Sequence, residues 1–196
     1  RSHTIVVVGS KWNSLAELQD HSKRKSNLVE YYSVLQIAKH VRRSLQRGLQ
    51  KDFKVRVVGH SVGAAIGLLV GMLLFEKGVH VSNVIGFGMP RVLSNEQVEQ
   101  FSTTNFPVLQ VDLFADPVSR LFPGFQRTGS RLVLLNGAHY CWLEAPKDTE
   151  IEPELPASEI DEDSLSQHEM VKYKASIEEK IGLSVAVQYH LRTHYL

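Results

Sequence analysis

The sequence predicts an α/β protein with a doubly wound, mostly parallel central sheet that is flanked by helices. Short apolar runs of strand length alternate along the chain with segments of helical periodicity. A strand at 54–58, a helix at 62–77 and a strand at 83–87 form a β-α-β unit, whose helical crossover implies parallel pairing. The 196 residues, 43% hydrophobic and 22% charged, fit one globular domain with a sizeable core.

The elements before this unit are a strand and two helices. Residues 4–8 (TIVVV) form a continuous apolar run, which predicts a strand buried on both faces. Trp12, Leu15 and Leu18 are three residues apart, which indicates a short amphipathic helix. Apolar residues keep helical spacing over 28–49, which predicts one long helix with a basic outer face. That face is either solvated or in contact with anionic lipid.

The elements after the unit are two helices and three strands, predicted at 94–101, 108–114, 131–135, 140–143 and 167–181. Residues 148–163 include eight acidic residues and no Lys or Arg, which predicts a solvated loop. Residues 184–195 form a tail of uncertain structure. The longest apolar run, 62–75, is shorter than the roughly 20 residues that span a bilayer, so no transmembrane segment is predicted. The net charge of +1 indicates no nucleic-acid partner.

The most informative pattern is Gly59-His60-Ser61-Val62-Gly63, directly after an apolar strand. G-x-S-x-G between a strand and a helix is typical of a nucleophile elbow, a strained turn that exposes a serine hydroxyl. The two glycines remove Cβ atoms that would clash where strand and helix cross closely. Ser61 is therefore the candidate nucleophile. The alternative is a glycine-rich turn into a buried helix with an incidental serine.

A nucleophilic serine needs a histidine that takes its proton and a carboxylate that orients the histidine. Asp116 directly follows the predicted strand 108–114, and Pro117 prevents that strand from continuing, so Asp116 is the candidate acid. The alternative is an Asp-Pro pair that only initiates a turn. Asp112 lies within the strand, where a polar residue on a half-buried face is the simpler interpretation.

Four histidines follow Asp116 in the sequence. His168 lies between the acidic loop and the closing helix, where its side chain can swing over the sheet edge, so it is the candidate base. His139 begins a short strand, where a packed or surface histidine is expected. His190 and His194 have a helical spacing that could ligate a metal, but no carboxylate or cysteine completes a site, which favours a surface pair.

Four segments together resemble the class 3 (fungal-type) triacylglycerol lipases of the α/β-hydrolase superfamily. They are VVGHSVG around Ser61, GFGMPRV at 86–92, ADPVSRLFP at 115–123 and QHEMVKY at 167–173, in the order of the family. The resemblance extends from about residue 4 to residue 182 and implies the α/β-hydrolase fold. It implies Ser61 as nucleophile, His168 as general base and acid, and Asp116 as the partner that orients His168.

The resemblance also implies an oxyanion hole. In the family, one donor is the backbone N–H of the residue after the nucleophile, here Val62. The second is a Ser or Thr in a turn after an early strand, and the matching turn here is Val8-Gly9-Ser10, with Ser10 as donor. Val8 occupies the position of the family's arginine, which removes the usual support of that turn.

An amphipathic lid helix follows this turn in the family, and Trp12, Leu15 and Leu18 match its apolar face. A short surface helix is the alternative. Family members usually carry a segment before the first strand and a V-H-x-G-F motif before the long helix, and neither is found here. Residues 1–196 are therefore expected to be a single lipase-like domain, either a compact variant or part of a longer protein.

The function implied by the resemblance is that of a serine ester hydrolase, a triacylglycerol lipase acting at an oil-water or membrane interface without a metal or organic cofactor. It further implies secretion, with an intracellular soluble protein as the alternative. The functional alternative is a lipase-like scaffold that keeps the fold and binds partners. The complete set of Ser61, Asp116 and His168 argues against a scaffold, whereas the changed Val8 turn argues for one.

Overall fold

The structure is a computed structural model that describes residues 1–9, 27–45, 47–50, 52–102, 106–122, 124–144, 161–183 and 185–187. Among these residues, one sheet contains seven strands, β1 (Ser2–Val7), β2 (Lys54–His60), β3 (Val81–Phe87), β4 (Val108–Leu113), β5 (Ser130–Leu134), β6 (His139–Leu143) and β7 (Val185–Val187). The helices are α1 (Asn27–Leu45), α2 (Val62–Phe75), α3 (Asn95–Ser102), α4 (Glu162–Ser166) and α5 (Met170–Leu183). Among the described residues, no helix is both long and apolar enough to cross a membrane.

Neighbouring strands pair in parallel, except β5 and β6, which are antiparallel. The predicted mostly parallel sheet flanked by helices is therefore confirmed. The predicted double winding is wrong, because the described strands lie side by side in sequence order, without the reversal of a doubly wound sheet. Helices nevertheless cover both faces. Val84 packs in the cluster that contains α2, and the next residue, Ile85, packs on the opposite face against Tyr173 of α5.

Strand β1 is buried on one face only. Ile5 is buried, whereas Val6 is 67% exposed. Within the described part of the chain, β1 is an edge strand that pairs with β2. The apolar cluster around Tyr173 of α5 contains residues of β3, β4 and β5 and does not cover β1. The prediction that residues 4–8 are buried on both faces is therefore wrong. The apolar run predicts a strand, but it does not reveal that the strand lies at the edge of the sheet.

The helix after the elbow is buried as predicted. Ten residues of α2 are buried, and the helix packs on β2, β3 and α1. Helix α1 ends at Leu45, four residues before the predicted end, because the chain turns at Gly48 and bonds back to the Leu45 carbonyl. The short helix α4 is not predicted. Asp161 caps its amino end, where the Asp161 carboxylate accepts the Ser164 N–H, so part of the predicted acidic loop forms a capped helical turn.

Strands β2, β3 and β4 end at one edge of the sheet, where the parallel strands β1 and β5 also end. Because β2, β3 and β4 are parallel, their carboxyl ends lie side by side, at His60, Phe87 and Leu113. Ligands of α/β sheets bind outside such carboxyl ends. Ser61 and Asp116 follow two of these ends, so the fold brings together residues that are distant in sequence. The extent of the domain over residues 1–196 stays a prediction.

Candidate active site

Ser61 occupies a strained turn between β2 and α2. Its φ is 58° and its ψ is −139°, a backbone conformation that residues other than glycine rarely adopt. The Ser61 N–H donates to the Phe87 carbonyl at 2.9 Å, and the Ser61 carbonyl accepts the Ala64 N–H at 2.9 Å. Such strain costs about 1–3 kcal/mol and persists only where the surroundings impose it. The end of β3 and the first turn of α2 impose it here.

The glycines on either side of Ser61 are required by backbone contacts. A Cβ atom on Gly59 would lie 2.6 Å from the Ala64 Cα, and one on Gly63 would lie 2.5 Å from the Gly9 nitrogen. Neighbouring main chain cannot move aside as a flexible side chain can. The close crossing of strand and helix that the sequence predicts is therefore present, and it includes the end of β1 near Gly9.

His168 and Asp116 form a buried hydrogen-bonded pair. The His168 Nδ1 and the Asp116 Oδ2 are 2.8 Å apart, and the two residues are 7% and 0% exposed. Asp116 lies in the turn after β4, where its Oδ1 accepts the Val118 N–H at 2.8 Å. His168 lies in the turn between α4 and α5. Two residues that are 52 positions apart are thus held together by two turns.

The Asp116 carboxyl is stabilised in its ionised form. Burial opposes its ionisation, but the hydrogen bond from His168, the attraction of the His168 charge, and hydrogen bonds from Tyr173 and Val118 outweigh that effect. The pKa of Asp116 therefore lies below its ordinary value. An ionised Asp116 only accepts hydrogen bonds, so the His168 Nδ1 is the donor, and in a neutral ring Nε2 then carries a lone pair.

Tyr173 is a site residue to which the sequence analysis assigned no role. It is fully buried on α5, its hydroxyl donates to the Asp116 Oδ2, and it accepts the Leu113 N–H at 3.3 Å. Burial and then the negative charge of Asp116 raise the Tyr173 pKa well above its ordinary value, so the phenol keeps its proton. The signal that could have indicated a role is the position of Tyr173 in the segment QHEMVKY at 167–173, five residues after His168.

Gly88 lies against all three groups of this cluster. A Cβ atom at Gly88 would be 2.7 Å from the Asp116 Oδ2, 2.8 Å from the Tyr173 hydroxyl and 2.9 Å from the His168 Cε1. Its φ of 53° also favours glycine. The segment after β3 therefore packs directly against the charged cluster.

Two reactive atoms have no hydrogen-bond partner among the described residues. They are the Ser61 Oγ and the His168 Nε2, and both are buried. Buried polar atoms are normally paired, and the unpaired Ser61 Oγ and His168 Nε2 are a nucleophile and a base that can act on a substrate, whereas the Asp112 Oδ1, also unpaired, belongs to an ion pair. A hydroxyl on a strained turn and the lone pair of an imidazole are the donor and acceptor of a nucleophile-base unit.

The family model for class 3 lipases matches residues 5–126. The chain belongs to the class 3 lipase family. The match includes Ser61 and Asp116, whereas His168 and Tyr173 lie beyond it. The central sheet and its helices form the α/β-hydrolase fold of this lipase family. No curated protein matches the sequence.

Several solved fungal lipases are similar to the chain. A lipase from Rhizopus microsporus var. chinensis is 27% identical with a TM-score of 0.44, over 55% of this chain and 39% of that one. Lipase II from Rhizopus niveus is 27% identical with a TM-score of 0.45, over 56% and 44%. The triacylglyceride lipase of Rhizomucor miehei is 25% identical with a TM-score of 0.43, over 55% and 43%. The chain thus matches about two fifths of the length of these lipases.

Of the remaining candidates for the oxyanion hole, the lid and a histidine pair, the structure of this class 3 lipase fold describes only some. Val62 is the first residue of α2, where backbone N–H groups have no acceptor within the helix. A Cβ atom on Gly9 would lie 3.1 Å from the Ser61 Cβ, so the Val8-Gly9 turn lies beside the elbow. Ser10, Trp12, Leu15, Leu18, His190 and His194 lie outside the described residues.

The structure also describes His139 and Asp112, two polar residues to which the sequence analysis gave no catalytic role. His139 is exposed at the start of β6, as expected of a surface histidine. Asp112 is 1% exposed, not half-buried as predicted. Its Oδ2 accepts from Arg131 at 2.9 Å and 2.8 Å. The buried ion pair explains why a carboxylate occurs inside the sheet.

Proposed function

We propose that the protein is a serine ester hydrolase that cleaves lipid esters, with Ser61 as nucleophile, His168 as general base and acid, and Asp116 as the group that orients His168. One observation carries the proposal. A strained elbow presents a buried, unpartnered hydroxyl, and a histidine held by a buried carboxylate has an unpartnered Nε2. Membership of the class 3 lipase family supports a lipid ester as substrate.

In the first half of the proposed reaction, the Ser61 Oγ attacks the ester carbonyl while its proton moves to the His168 Nε2. The ring becomes an imidazolium, which the ionised Asp116 stabilises at Nδ1. The backbone N–H of Val62, with the Ser10 hydroxyl as second donor, would bind the oxyanion. Collapse of the tetrahedral intermediate breaks the ester C–O bond, and the Nε2 proton leaves with the alcohol.

In the second half, water attacks the acyl group on Ser61, and the His168 Nε2 takes a proton from that water. The second oxyanion would bind the same donors. Collapse breaks the bond between Ser61 and the acyl group, and the proton on Nε2 returns to the Ser61 Oγ. The products are an alcohol and a carboxylic acid, and the enzyme returns to its starting state.

Triacylglycerol preference, action at an oil interface and secretion are finer proposals that rest on the family resemblance. If Trp12 and its apolar neighbours form a lid, opening at an interface would bury that face in lipid at about 25 cal/mol per Å². Activity should then rise when a substrate passes from monomer to emulsion. A smooth hyperbolic dependence of rate on concentration through the solubility limit would argue against a lid, and Trp12→Ser should flatten any jump.

The test of the function is labelling by a fluorophosphonate, which reacts quickly only with an activated serine, together with hydrolysis of nitrophenyl esters and emulsified triglycerides. Ser61→Ala should abolish labelling and lower turnover by about 10³-fold or more, because it removes the nucleophile. Ser44→Ala is the matched control, since Ser44 lies exposed on α1 and bonds to its own helix. A wild-type protein that neither labels nor hydrolyses any ester would favour the scaffold alternative.

A further inference from the structure

His60, the residue before the candidate nucleophile, contacts the candidate base directly. Its Nε2 lies 2.8 Å from the backbone carbonyl oxygen of His168. The two imidazole rings are stacked, with centroids 4.6 Å apart and an angle of 27° between their planes. The His60 and Tyr173 rings also form a T-shaped pair, with centroids 5.9 Å apart. These contacts join residues that are 108 positions apart in sequence.

The bond to His168 determines which nitrogen of His60 carries a proton. A carbonyl oxygen only accepts hydrogen bonds, so the His60 Nε2 must be the donor. Burial, followed by repulsion from a charged His168, lowers the pKa of His60, whereas the bond to the carbonyl and the charge of Asp116 act in the opposite direction. A neutral His60 with its proton on Nε2 satisfies both the bond and the neighbouring charge.

His60 connects His168 directly to the elbow. His168 lies in a turn and not in a helix or strand, and its ring nitrogen is held by Asp116 on the other side. His60 is the last residue of β2 and is covalently bonded to Ser61. The bond from His60 therefore links the His168 main chain to the residue next to the nucleophile, and the His60 ring lies against the His168 imidazole.

We propose, on the basis of the function proposed above, that His60 is a positioning residue that fixes the position of His168 relative to Ser61. Its Nε2–H fixes the His168 backbone, and its ring limits rotation of the His168 imidazole. Misplacement of a catalytic group by about 1 Å can cost 10²-fold in rate. Loss of the donor should therefore slow the chemical step without weakening substrate binding.

The experiment compares two variants that separate the donor from the ring. His60→Phe keeps an aromatic ring and removes the donor, whereas His60→Gln places an amide nitrogen near the position of Nε2 and removes the ring. We expect His60→Phe to lower kcat and the fluorophosphonate labelling rate by about 10- to 100-fold with KM within about twofold. His60→Gln should recover most of that loss.

His3→Phe is the matched control. The His3 ring is stacked on Phe53 at 4.7 Å, and its Nε2 accepts the Gln50 N–H, at the amino end of β1. The substitution thus removes one hydrogen bond and keeps one stacked ring, as at His60, and it should leave kcat and labelling within about twofold. Equal losses in His60→Phe and His60→Gln, or no loss in His60→Phe, would overturn the positioning role.

A measurement on the wild-type protein tests the same inference without activity or variants. In ¹⁵N-edited NMR spectra at pH 8, where His60 is neutral, the proton of its ring should reside on Nε2 and bond to the His168 carbonyl. A neutral His60 ring with its proton on Nδ1 would overturn the inference whatever the activity. Lack of labelling by the wild-type protein would instead contradict the hydrolase function, so the two failures are distinguishable.

Discussion

Two carboxylates at the end of β4, four positions apart, have opposite surroundings. Asp112 and Asp116 are both buried, at 1% and 0% exposure. Asp112 is held by the guanidinium of Arg131 at 2.8 Å and by Arg127 at 3.4 Å. Asp116 is held by the imidazole of His168 and by hydrogen bonds from uncharged donors. Equal burial therefore does not distinguish the two residues.

Asp112 and Asp116 differ in the side chain that binds each carboxylate. A guanidinium keeps its charge at all accessible pH values, and the ion pair of Asp112 with Arg131 links the neighbouring strands β4 and β5. An imidazole gains and loses a proton near neutral pH, so the negative charge of Asp116 can stabilise a proton that arrives at His168 during a reaction. A buried carboxylate beside arginine is thus expected to be structural, and one beside histidine is expected to be functional.

Of the changes that test this comparison, the largest expected effect on kcat comes from changing Asp116 to its amide. Asp116→Asn removes the charge that stabilises the His168 imidazolium and can impose the wrong tautomer, so kcat should fall by about 10⁴-fold. The measurement is ester hydrolysis, with circular dichroism to establish that the fold persists. If Asp116→Asn keeps a tenth or more of the wild-type kcat, another group supplies the charge.

The corresponding change at Asp112 should affect stability instead. Asp112→Asn leaves the guanidinium of Arg131 buried without a counter-charge, which should lower the free energy of unfolding by about 3–5 kcal/mol. Urea denaturation measures this loss, and kcat of the folded fraction should stay within about threefold of wild type. A stable variant with low kcat would contradict the division into a structural and a functional carboxylate.

A third change alters the space around Asp116 without altering any charge. Gly88→Ala would place a methyl group 2.7 Å from the Asp116 Oδ2, so the carboxylate must shift and kcat should fall by about 10²-fold. Gly137→Ala is the matched control, because Gly137 also has a positive φ, of 65°, but an added Cβ meets nothing within 4 Å. Similar kcat losses in both variants would show that backbone strain is the cause.

The smallest expected effect is on the pH dependence of stability. His60 and Asp116 have pKa values below their ordinary values in the folded protein, so the unfolded chain binds more protons and the free energy of unfolding falls with falling pH. The contribution of His60 is lost as pH falls below 6.5 towards its lower folded value. That of Asp116 is lost as pH falls below 3.8 towards its lower folded value.

The Tm of the wild-type protein should therefore fall between pH 7.5 and pH 5, where His60 titrates before Asp116. His60→Gln has no titrating group at that position, so its Tm should depend less on pH over this range. A parallel decrease in both proteins would assign the pH dependence to other groups.

The sequence by itself determined the local features of this protein. Apolar strands around the helix 62–75 determine the parallel β-α-β unit, because periodicity and strand length are properties of neighbouring residues. The pattern around Ser61 indicates the elbow, since the glycines and the turn lie within five residues. The position of Asp116 after a strand and before Pro117 predicts a turn at the sheet edge, which the structure contains.

Only the tertiary structure decided which distant residues meet. The hydrogen bond between His60 and His168 spans 108 positions, and that between Tyr173 and Asp116 spans 57. Likewise, the order of the described strands makes β1 an edge strand among them, and Val6 is exposed. A local pattern specifies how a segment folds and which of its faces is apolar. Which partner it meets depends on how the strands assemble, and that depends on packing energies summed over the whole chain.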